Sequence, residues 1–470
     1  MKRNKFNYSF RVILLFVLIL LMFYQLFDMY LKDTFLNFHN NLDSSDQVKN
    51  YEILNEALPF TRPASMAIGI PESNGEVKFI KRTSVNYDEI YKSALNLMKM
   101  FATKSTYETK AYTGELEAIA PIYMDYNFTM TMADYFAEIG YVLPGELKEI
   151  AFERIIIEVF QNEIRFHLVS RKNGLGTTYI FNDLNEDELN NMVLVMQKQL
   201  ESVDVRAMLV SPQEEPAFIA PICLYKPETE MRLSEYYYFV NPIADASGRI
   251  DDIKVKSYIE PFFEFTDQVW EVHPKEDFLF GNDLQTVRLT QNGLMEYVDK
   301  EIYPKRAPDL LYDYSQVLSF LEKDNYVNEI EYTLSGYAKD ETGIWFYFDY
   351  SLNDLPITID MKSLPEPDLC HPMAARVENG KVITFRRILL LGEENTGQLE
   401  NMNLDYRQAL DTVARTQPDV KIKDMELCYD LSLEDWAGRI SWRIVSDESS
   451  PTLCPGQGIM DGKLILLPIK

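Results

Sequence analysis

Cysteine is scarce in this sequence. Only four cysteines occur among 470 residues, namely Cys223, Cys370, Cys428 and Cys454. None of them forms a Cys-x-x-Cys pair, which excludes a zinc ribbon and a thioredoxin-like redox site. Four cysteines in a chain of this length do not make a disulfide framework. A disulfide between Cys370 and Cys454 and free buried thiols therefore both remain open.

The short motifs that mark catalytic and cofactor sites are also missing. The sequence contains no His-Glu-x-x-His, no Gly-x-Ser-x-Gly and no phosphate-binding loop. Among only four histidines, His167 alternates with apolar neighbours, which favours a structural role in a strand over metal ligation. His371 follows Cys370, but adjacent strand residues point to opposite faces and Pro372 marks a turn, so a structural role is favoured over a Cys–His pair. We therefore predict a non-enzymatic protein with no catalytic residue, no cofactor and no metal site.

Positive charge is in short supply as well. The formal net charge is −27 at pH 7, from 73 acidic and 46 basic residues. No cluster of lysine and arginine occurs beyond the first eleven residues, and binding to nucleic-acid phosphates needs such a basic surface. The composition excludes a nucleic-acid-binding protein, and solubility accounts for the acidity. A hydrophobic fraction of 46% and an aromatic fraction of 13% are ample for buried cores in several domains.

One stretch near the start carries no charge at all. Residues 12–27 comprise sixteen residues, of which thirteen are Val, Ile, Leu or Phe. Such a composition favours insertion of a helix into lipid by roughly 4 to 8 kcal/mol. Met29 and Tyr30 extend this short span into the membrane interface. The sequence therefore predicts a transmembrane helix over residues 12–30.

The charges on either side of this span predict its orientation. Basic residues precede it (Lys2, Arg3, Lys5 and Arg11), and the mixed group Asp28, Lys32 and Asp33 follows it. Basic flanks stay in the cytoplasm, so the N-terminus is predicted inside and the body outside the cell membrane. An uncleaved signal anchor is favoured over a cleaved signal peptide, because no Ala-x-Ala-like site follows the span. A buried helix of a soluble protein is the third alternative.

The region after the anchor mixes helix and strand signals. Asn86 and Glu89 mark a helix start, and a second start lies at Asn185 and Glu188. The first helix has an apolar face of Ile90, Ala94, Leu97 and Phe101, and the second has one of Leu189, Met192, Met196 and Leu200. Strands are predicted over 118–127, 154–160, 164–169 and 177–181, with a hairpin at Gln161, and further along over 234–240 and 253–265. The fold class expected is α+β with largely antiparallel sheets.

An internal repeat organises the last third of the chain. Asn292-Gly293 and Asn379-Gly380 each lie between two extended runs, which is a strong hairpin signal. The helix openings Asp313-Tyr-Ser-Gln-Val-Leu318 and Asp405-Tyr-Arg-Gln-Ala-Leu410 lie ninety-two residues apart, as the numbering shows. Each opening is followed by two extended runs, the second of which contains Trp345 or Trp442. The order predicts a duplicated unit of β-hairpin, helix and β-hairpin, with Leu318 and Leu410 buried on the helix face towards the sheet.

These signals predict an ordered series of segments. They are a cytoplasmic tail (1–11), the anchor (12–30), a juxtamembrane connector (31–63), an N-terminal α+β domain (64–210), a middle β-rich region (211–280), a first C-terminal repeat unit (281–365) and a second one (366–470).

The anchor and the repeated stretches together resemble the YycH family, with its smaller relative YycI. The stretches that carry the resemblance are 287–297, 377–385, 405–410 and 440–444. The hairpin–helix–hairpin units are also similar to PepSY-type modules, which are non-catalytic. The resemblance implies an extracytoplasmic regulator of a WalK (YycG)-like sensor histidine kinase that controls cell-wall metabolism in Gram-positive bacteria. It also implies two partners, namely this kinase and a YycI-like protein. The alternative is a PepSY-type protease inhibitor, another binding module or a cell-wall assembly factor that does not act on a kinase.

Overall fold

The computed structural model describes most of the chain after residue 60. The described residues are 61–69, 76–80, 87–103, 106–114, 116–117, 121–160, 163–170, 175–182, 207–210, 224–225, 230–231, 237–245, 248–263, 269–273, 277–322, 330–352, 355–359, 371–394, 402–403, 406–418, 422–433, 436, 438–446, 452–454, 458–460 and 464–468. They belong to one compact unit, Phe60–Lys470. The predicted anchor lies outside them, and no helix among them has the length and apolar character of a membrane span.

Six α-helices are seen in the described residues. They are α1 (Tyr87–Thr103), α2 (Met132–Glu138), α3 (Gly145–Lys148), α4 (Asp252–Ile259), α5 (Leu310–Leu321) and α6 (Tyr406–Thr416).

The strands of the N-terminal half are β1 (Ser65–Gly69), β2 (Glu76–Ile80), β3 (Glu108–Ala111), β4 (Ile122–Thr131), β5 (Ala151–Val159), β6 (Glu163–Val169), β7 (Gly176–Asn182), β8 (Ala207–Val210), β9 (Leu224–Tyr225), β10 (Glu230–Met231) and β11 (Tyr237–Val240). Those of the C-terminal half are β12 (Trp270–Val272), β13 (Phe278–Gly281), β14 (Gln285–Leu289), β15 (Leu294–Asp299), β16 (Glu331–Lys339), β17 (Gly343–Leu352), β18 (Leu355–Ile359), β19 (Met373–Glu378), β20 (Lys381–Ile388), β21 (Leu391–Glu394), β22 (Met402–Asn403), β23 (Ile422–Leu431), β24 (Gly438–Ser446), β25 (Thr452–Cys454), β26 (Gly458–Met460) and β27 (Leu464–Pro468).

The N-terminal strands form an antiparallel run in the order β3, β7, β6, β5, β4, β1, β2, β8, β9. The hairpin predicted at Gln161 is present, since Val159 of β5 pairs with Ile164 of β6. The predicted apolar face of helix α1 is confirmed at Ile90, Ala94 and Leu97, which are all buried. The second predicted helix, at 185–200, lies outside the described residues.

The C-terminal strands form an eight-stranded antiparallel sheet in the order β12, β13, β14, β15, β20, β19, β17, β16. Helix α5 packs on one face of it, where the Tyr314 ring lies 5.5 Å from that of Phe346. The far half of β17 pairs with β18, which runs parallel to β23 and so connects to β24 and β27. The predicted α+β class with antiparallel sheets is confirmed.

Both Asn-Gly hairpins of the repeat are present. Asn379 and Gly380 both have positive φ, 53° and 75°, and form the two-residue turn between β19 and β20. Positive φ at both central positions of such a turn favours the Asn-Gly pair. Gly293, with φ 77°, closes the longer loop between β14 and β15.

The two repeat units keep the same element order but differ in how their hairpins lie in the sheet. In the first unit, β15 and β17 face each other across an inserted pair of strands, β20 and β19. Those two strands are the first hairpin of the second unit. In the second unit, β19 and β23 are instead bridged by β17 and β18. The tryptophans expected to match also differ, since Trp345 lies on the face opposite Phe346 whereas Trp442 is buried in the core.

One strand prediction and one helix prediction need correction. The sequence predicts a strand over 253–265, but residues 253–262 form α4 and a 3-10 turn (Glu260–Phe262). The Asp251 side chain accepts hydrogen bonds from the backbone N–H groups of Ile253 and Lys254, and Val255 and Ile259 provide a buried i, i+4 pair. Capping and helical spacing therefore outweigh the β-favouring residues.

The second correction concerns the repeated helices. Helix α5 begins at Leu310 with Asp309 as its N-cap, three residues before the expected opening. Leu318 and Leu410 are only partly buried, because they lie at the margin of the apolar stripes. The fully packed positions are Val317 and Leu321 in α5, and Ala409 and Val413 in α6. These pairs keep the ninety-two-residue spacing of the sequence repeat.

Candidate functional site

Charged and polar side chains are buried together on one face of the N-terminal sheet. Alternate residues along β4 to β7 face the apolar core, and the intervening positions carry Asp125, Arg154, Glu158, His167 and Thr178. Each of these five residues is less than 10% exposed. We call this group the buried polar cluster. It is the candidate functional site of the N-terminal half, because buried titratable groups are costly unless they are paired.

His167 lies in the middle of a hydrogen-bonded chain across three strands. Its Nε2 is 2.9 Å from Oε2 of Glu158 on β5, and its Nδ1 is 2.8 Å from Oγ1 of Thr178 on β7. The other carboxylate oxygen of Glu158 accepts the backbone N–H of Glu117 at 2.6 Å. With the proton on Nε2, the imidazole donates to Glu158 and accepts from the Thr178 hydroxyl. The polar side-chain atoms of Glu158, His167 and Thr178 are thereby all hydrogen-bonded.

Arg154 and Asp125 form a two-pronged ion pair beside this chain. Nε of Arg154 donates to Oδ1 of Asp125, and Nη2 donates to Oδ2 at 3.0 Å. Their side chains are only 4% and 7% exposed. A bidentate guanidinium–carboxylate contact is the geometry that best compensates two buried charges.

Tyr112 closes the cluster on the side of His167. Its ring centroid lies 5.0 Å from that of the imidazole. Among the described residues, the buried Tyr112 hydroxyl has no hydrogen-bond partner. Burial raises the pKa of the Tyr112 phenol well above its ordinary value. This phenol therefore remains protonated and adds no charge to the cluster.

The order Thr178, His167, Glu158 has the form of a nucleophile, a base and an orienting acid. The Thr178 hydroxyl that would attack a substrate belongs to a residue only 6% exposed. The arrangement accordingly fits a role in tying β5, β6 and β7 together. That agrees with the structural role predicted for His167, and no residue of the cluster was predicted beyond it.

His371 lies in the C-terminal half and makes a similar contact with a more exposed carboxylate. Its Nδ1 donates to Oδ1 of Asp349 at 2.7 Å, and its ring lies 5.2 Å from that of Tyr347. Burial acts to raise the pKa of Asp349, but the charge and hydrogen bond of His371, together with a hydrogen bond from Ser335, hold that pKa below its ordinary value.

Cys428 lies on β23 in the same half of the chain. It is buried on β23 with a free thiol, and burial raises its pKa to about 12. A thiol held in this protonated state is a poor nucleophile and a poor metal ligand. Cys370, and with it the question of a disulfide to Cys454, lies outside the described residues. Among the residues that are described, no group of three or more His, Cys, Asp and Glu side chains has a metal-binding arrangement.

A row of charges spans three neighbouring strands of the eight-stranded sheet, β14, β15 and β20, on the face opposite α5. Arg288 of β14 contacts Asp277 at 2.9 Å and Glu296 at 3.1 Å, and Arg386 of β20 contacts the same Glu296 at 3.1 Å. We call these four residues the charge ladder. The side chains of Arg288 and Arg386 are about a third exposed, at 33% and 29%. Salt and water therefore screen these pairs far more than they screen Arg154 and Asp125.

Apolar side chains are exposed at the outer corner of the same sheet. Trp270 and Val272 of β12 are 41% and 49% exposed, Leu284 is 47% exposed and Ile302 is 94% exposed. The Trp270 indole lies directly on Gly281, where a Cβ would meet it at 2.5 Å. Leu284 lies in the turn after Gly281, and its carbonyl accepts the N–H of Lys300 at 2.8 Å, two residues before Ile302. We call these four residues the apolar corner.

The solved structures that are similar to this chain share little of its sequence. No protein-family model and no curated protein matches it. Among solved structures, it is similar to YycH from Bacillus subtilis at 11% identity and a TM-score of 0.49, over 86% of this chain and 95% of that one. It is also similar to an uncharacterized protein from Eubacterium rectale at 8% identity and a TM-score of 0.33, over 55% of this chain and 89% of that one. Membership of the YycH family stays a prediction, as do the PepSY-like units.

Proposed function

We propose that this chain is a membrane-anchored, extracytoplasmic and non-enzymatic protein that modulates a sensor histidine kinase. The observation that carries the proposal is the charge-free stretch 12–27, which precedes a large body of antiparallel sheets with two hairpin–helix–hairpin units. This is the layout by which the sequence resembles the YycH family. The kinase proposed is WalK (YycG)-like and belongs to a two-component system that controls cell-wall metabolism, and a YycI-like protein is a second partner.

A protein without chemistry of its own regulates a kinase by binding one of its conformations more tightly than another. The proposed anchor is mostly large apolar residues and contains no Gly-x-x-x-Gly, so it does not encode close backbone dimerisation. Gln25 is its one strong hydrogen-bonding side chain, and a bond to a partner helix is worth about 0.6 to 2 kcal/mol. The folded body offers the partly exposed charge ladder and the apolar corner as further protein-binding surfaces.

Deletion of the chain tests the regulatory role. We expect the phosphorylation of the kinase in native membranes to change when the chain is removed and to return when it is restored. Unchanged phosphorylation contradicts the proposal and favours the inhibitor or assembly-factor alternative. An anchor-swap variant, with residues 12–27 replaced by an unrelated spanning helix, then locates the contact. Restoration by the native anchor alone places the contact in the membrane, and restoration by both places it outside.

Protease added to intact protoplasts tests the topology on which the proposal depends. We expect the protease to remove the bulk of the chain, because the basic N-terminal flank holds the other end inside. A fully protected body would contradict an extracytoplasmic location. The same digestion after lysis is the control, since it shows that the folded body contains cleavable sites.

A further inference from the structure

The described part of the chain begins with a buried and tightly bound residue. Thr61 is only 1% exposed, and its backbone N–H donates to a carboxylate oxygen of Glu138 at the end of α2. Its Oγ1 lies 2.8 Å from the hydroxyl oxygen of Tyr91 of α1, and its carbonyl accepts from the hydroxyl of Tyr126 of β4 at 3.1 Å. We call these four residues the entry clasp. Every polar atom of Thr61 is hydrogen-bonded in it.

The residues that follow Thr61 are bound to the same part of the fold. The carbonyl of Pro63 accepts from the hydroxyl of Tyr87 of α1 at 2.7 Å. The N–H of Ala64 donates to the carbonyl of Asp125 of β4 at 2.7 Å, and the chain then continues as β1, which pairs with β4. The stretch 61–64 is thus held by α1, α2 and β4 together. Because a closely packed interior transmits strain, this stretch cannot shift without disturbing those three elements.

β4 and α2 also contact the C-terminal half of the chain. The hydroxyl of Tyr337 of β16 donates to Oδ2 of Asp134 of α2 at 2.9 Å, and the Tyr337 ring lies edge-to-face on Phe128 of β4 at 6.0 Å. The same Oδ2 accepts from the hydroxyl of Thr131, the N-cap of α2, at 2.6 Å. We call Phe128, Asp134 and Tyr337 the half-to-half joint.

The entry clasp and the half-to-half joint lie on the same two elements. Tyr126 of the clasp and Phe128 of the joint are two positions apart on β4. Glu138 of the clasp and Asp134 of the joint are one turn apart on α2, so they lie on one side of that helix. The pairing of β4 with β5 is irregular over this stretch, where its register shifts. This part of β4 can therefore move without breaking a regular ladder of hydrogen bonds.

We propose that the entry clasp and the half-to-half joint form one conformational device, in which the position of Thr61 determines how firmly the two halves of the chain contact each other. When Thr61 leaves the clasp, Glu138 and Tyr126 lose their partner, and α2 and the irregular part of β4 shift. Tyr337 then loses its contacts with both elements. A displacement of the chain ahead of Thr61 is thereby passed to β16, at the edge of the eight-stranded sheet. The device requires neither the anchor nor a kinase.

Hydrogen exchange of the full-length chain tests the coupling. Glu138→Ala removes the acceptor of the Thr61 N–H, and we expect the amides of β16 to exchange roughly 10-fold faster or more, because the joint opens locally. Alanine favours a helix, and its introduction removes a negative charge from the C-terminal end of α2, so loss of the helix does not explain this result. Glu138→Gln keeps an acceptor oxygen and should bring the exchange back to within about 2-fold of the unsubstituted chain.

Two controls separate this coupling from a general loss of stability. Glu149→Ala, at the exposed end of the neighbouring helix α3, should leave the exchange of β16 unchanged. The amides of β20, three strands from β16 in the same sheet, should keep their exchange rates in Glu138→Ala. Equal acceleration in β16 and β20 would overturn the proposal, because a global loss of stability accelerates both. Unchanged exchange in β16 would overturn it as well.

A double-mutant cycle tests the same coupling from the other side. Tyr337→Phe removes the hydroxyl that donates to Asp134 and keeps the ring. We expect Glu138→Ala and Tyr337→Phe together to change the unfolding equilibrium constant at least about 3-fold less than the product of their single effects, because the first change already loosens the joint. Glu149→Ala combined with Tyr337→Phe should give the simple product. Simple products for both pairs would refute the device, and neither result bears on kinase regulation.

Discussion

The buried polar cluster and the charge ladder place similar ion pairs in different surroundings. Arg154 meets Asp125 where their side chains are 4% and 7% exposed, whereas Arg386 meets Glu296 where they are 29% and 10% exposed. Charges removed from water need partners inside the protein. Breaking a buried pair therefore leaves an unpaired buried charge, which strongly destabilises the fold. Charges at a sheet surface retain water when a partner is lost. The comparison indicates that the buried polar cluster is needed for stability, whereas residues of the charge ladder can be substituted with little loss of stability.

The largest effect is expected at the buried pair. Arg154→Ala should lower the free energy of unfolding by about 3 to 5 kcal/mol, because the Asp125 carboxylate would remain charged in a dry environment. Urea denaturation followed by fluorescence measures this change. The double variant Arg154→Met with Asp125→Leu is the control and should lose much less, since neither charge remains. A loss below about 1 kcal/mol in the single variant would mean that the pair is solvated.

The next effect is expected at the histidine chain. Glu158→Gln should cost about 1 to 3 kcal/mol, because an amide cannot accept on both of the atoms that contact Glu117 and His167. The control is Glu163→Gln on the neighbouring strand, where the side chain is 27% exposed and pairs with Arg165. That change should cost less than about 1 kcal/mol. Equal losses in the two variants would remove the distinction between buried and exposed acceptors.

An intermediate case is Asp349, which is half-buried beside His371. Its pKa lies below the ordinary value in the folded chain, so its contribution to stability is present above the ordinary carboxyl pKa and is lost as the pH falls through the folded pKa. We expect Asp349→Asn to cost roughly 1 kcal/mol at pH 7 and progressively less below about pH 4. Unfolding curves over this pH range test it. Asp283→Asn, in an exposed turn, is the control and should cost less than about 0.5 kcal/mol at pH 7.

The smallest effect is expected at the charge ladder. Arg386→Ala should change the free energy of unfolding by only about 0.2 to 1 kcal/mol, because Glu296 keeps Arg288 as a partner. The loss should shrink further at 1 M salt, where the screening length falls to about 3 Å. Urea denaturation at low and at high salt measures the loss of unfolding free energy under both conditions. A loss as large as that of Arg154→Ala would show that exposure does not separate the two groups.

Local features of this fold could be predicted from the sequence because neighbouring residues determine them. The Asn379-Gly380 turn follows from the positive φ that only such residues adopt readily. The buried face of α1 follows from apolar spacing, as Ile90, Ala94 and Leu97 show. The start of α4 also has a local signal, since Asp251 is a good N-cap. The apolar run after it nevertheless favoured a strand in the sequence.

Side-chain contacts between neighbouring strands could not be predicted in the same way. The pairing of Arg154 with Asp125 joins residues 29 positions apart on β5 and β4, and no local pattern specifies it. The chain Glu158–His167–Thr178 likewise requires the register of three strands. Alternation in β6 placed His167 away from the core-facing residues, and the strand order alone decides which polar side chains surround it. The buried polar cluster was therefore missed while the hairpins that build it were found.

The insertion of one repeat unit's hairpin into the other has a consequence for how the chain folds. Tyr297 of β15 finds its neighbour Phe385 of β20 only after 88 further residues have been made, as the numbering of the pair shows. Loop-closure entropy must be overcome before such distant contacts stabilise the sheet, which slows folding. The first unit accordingly has to wait with open strand edges until the second unit emerges, and newly made chains are most prone to aggregate during that interval.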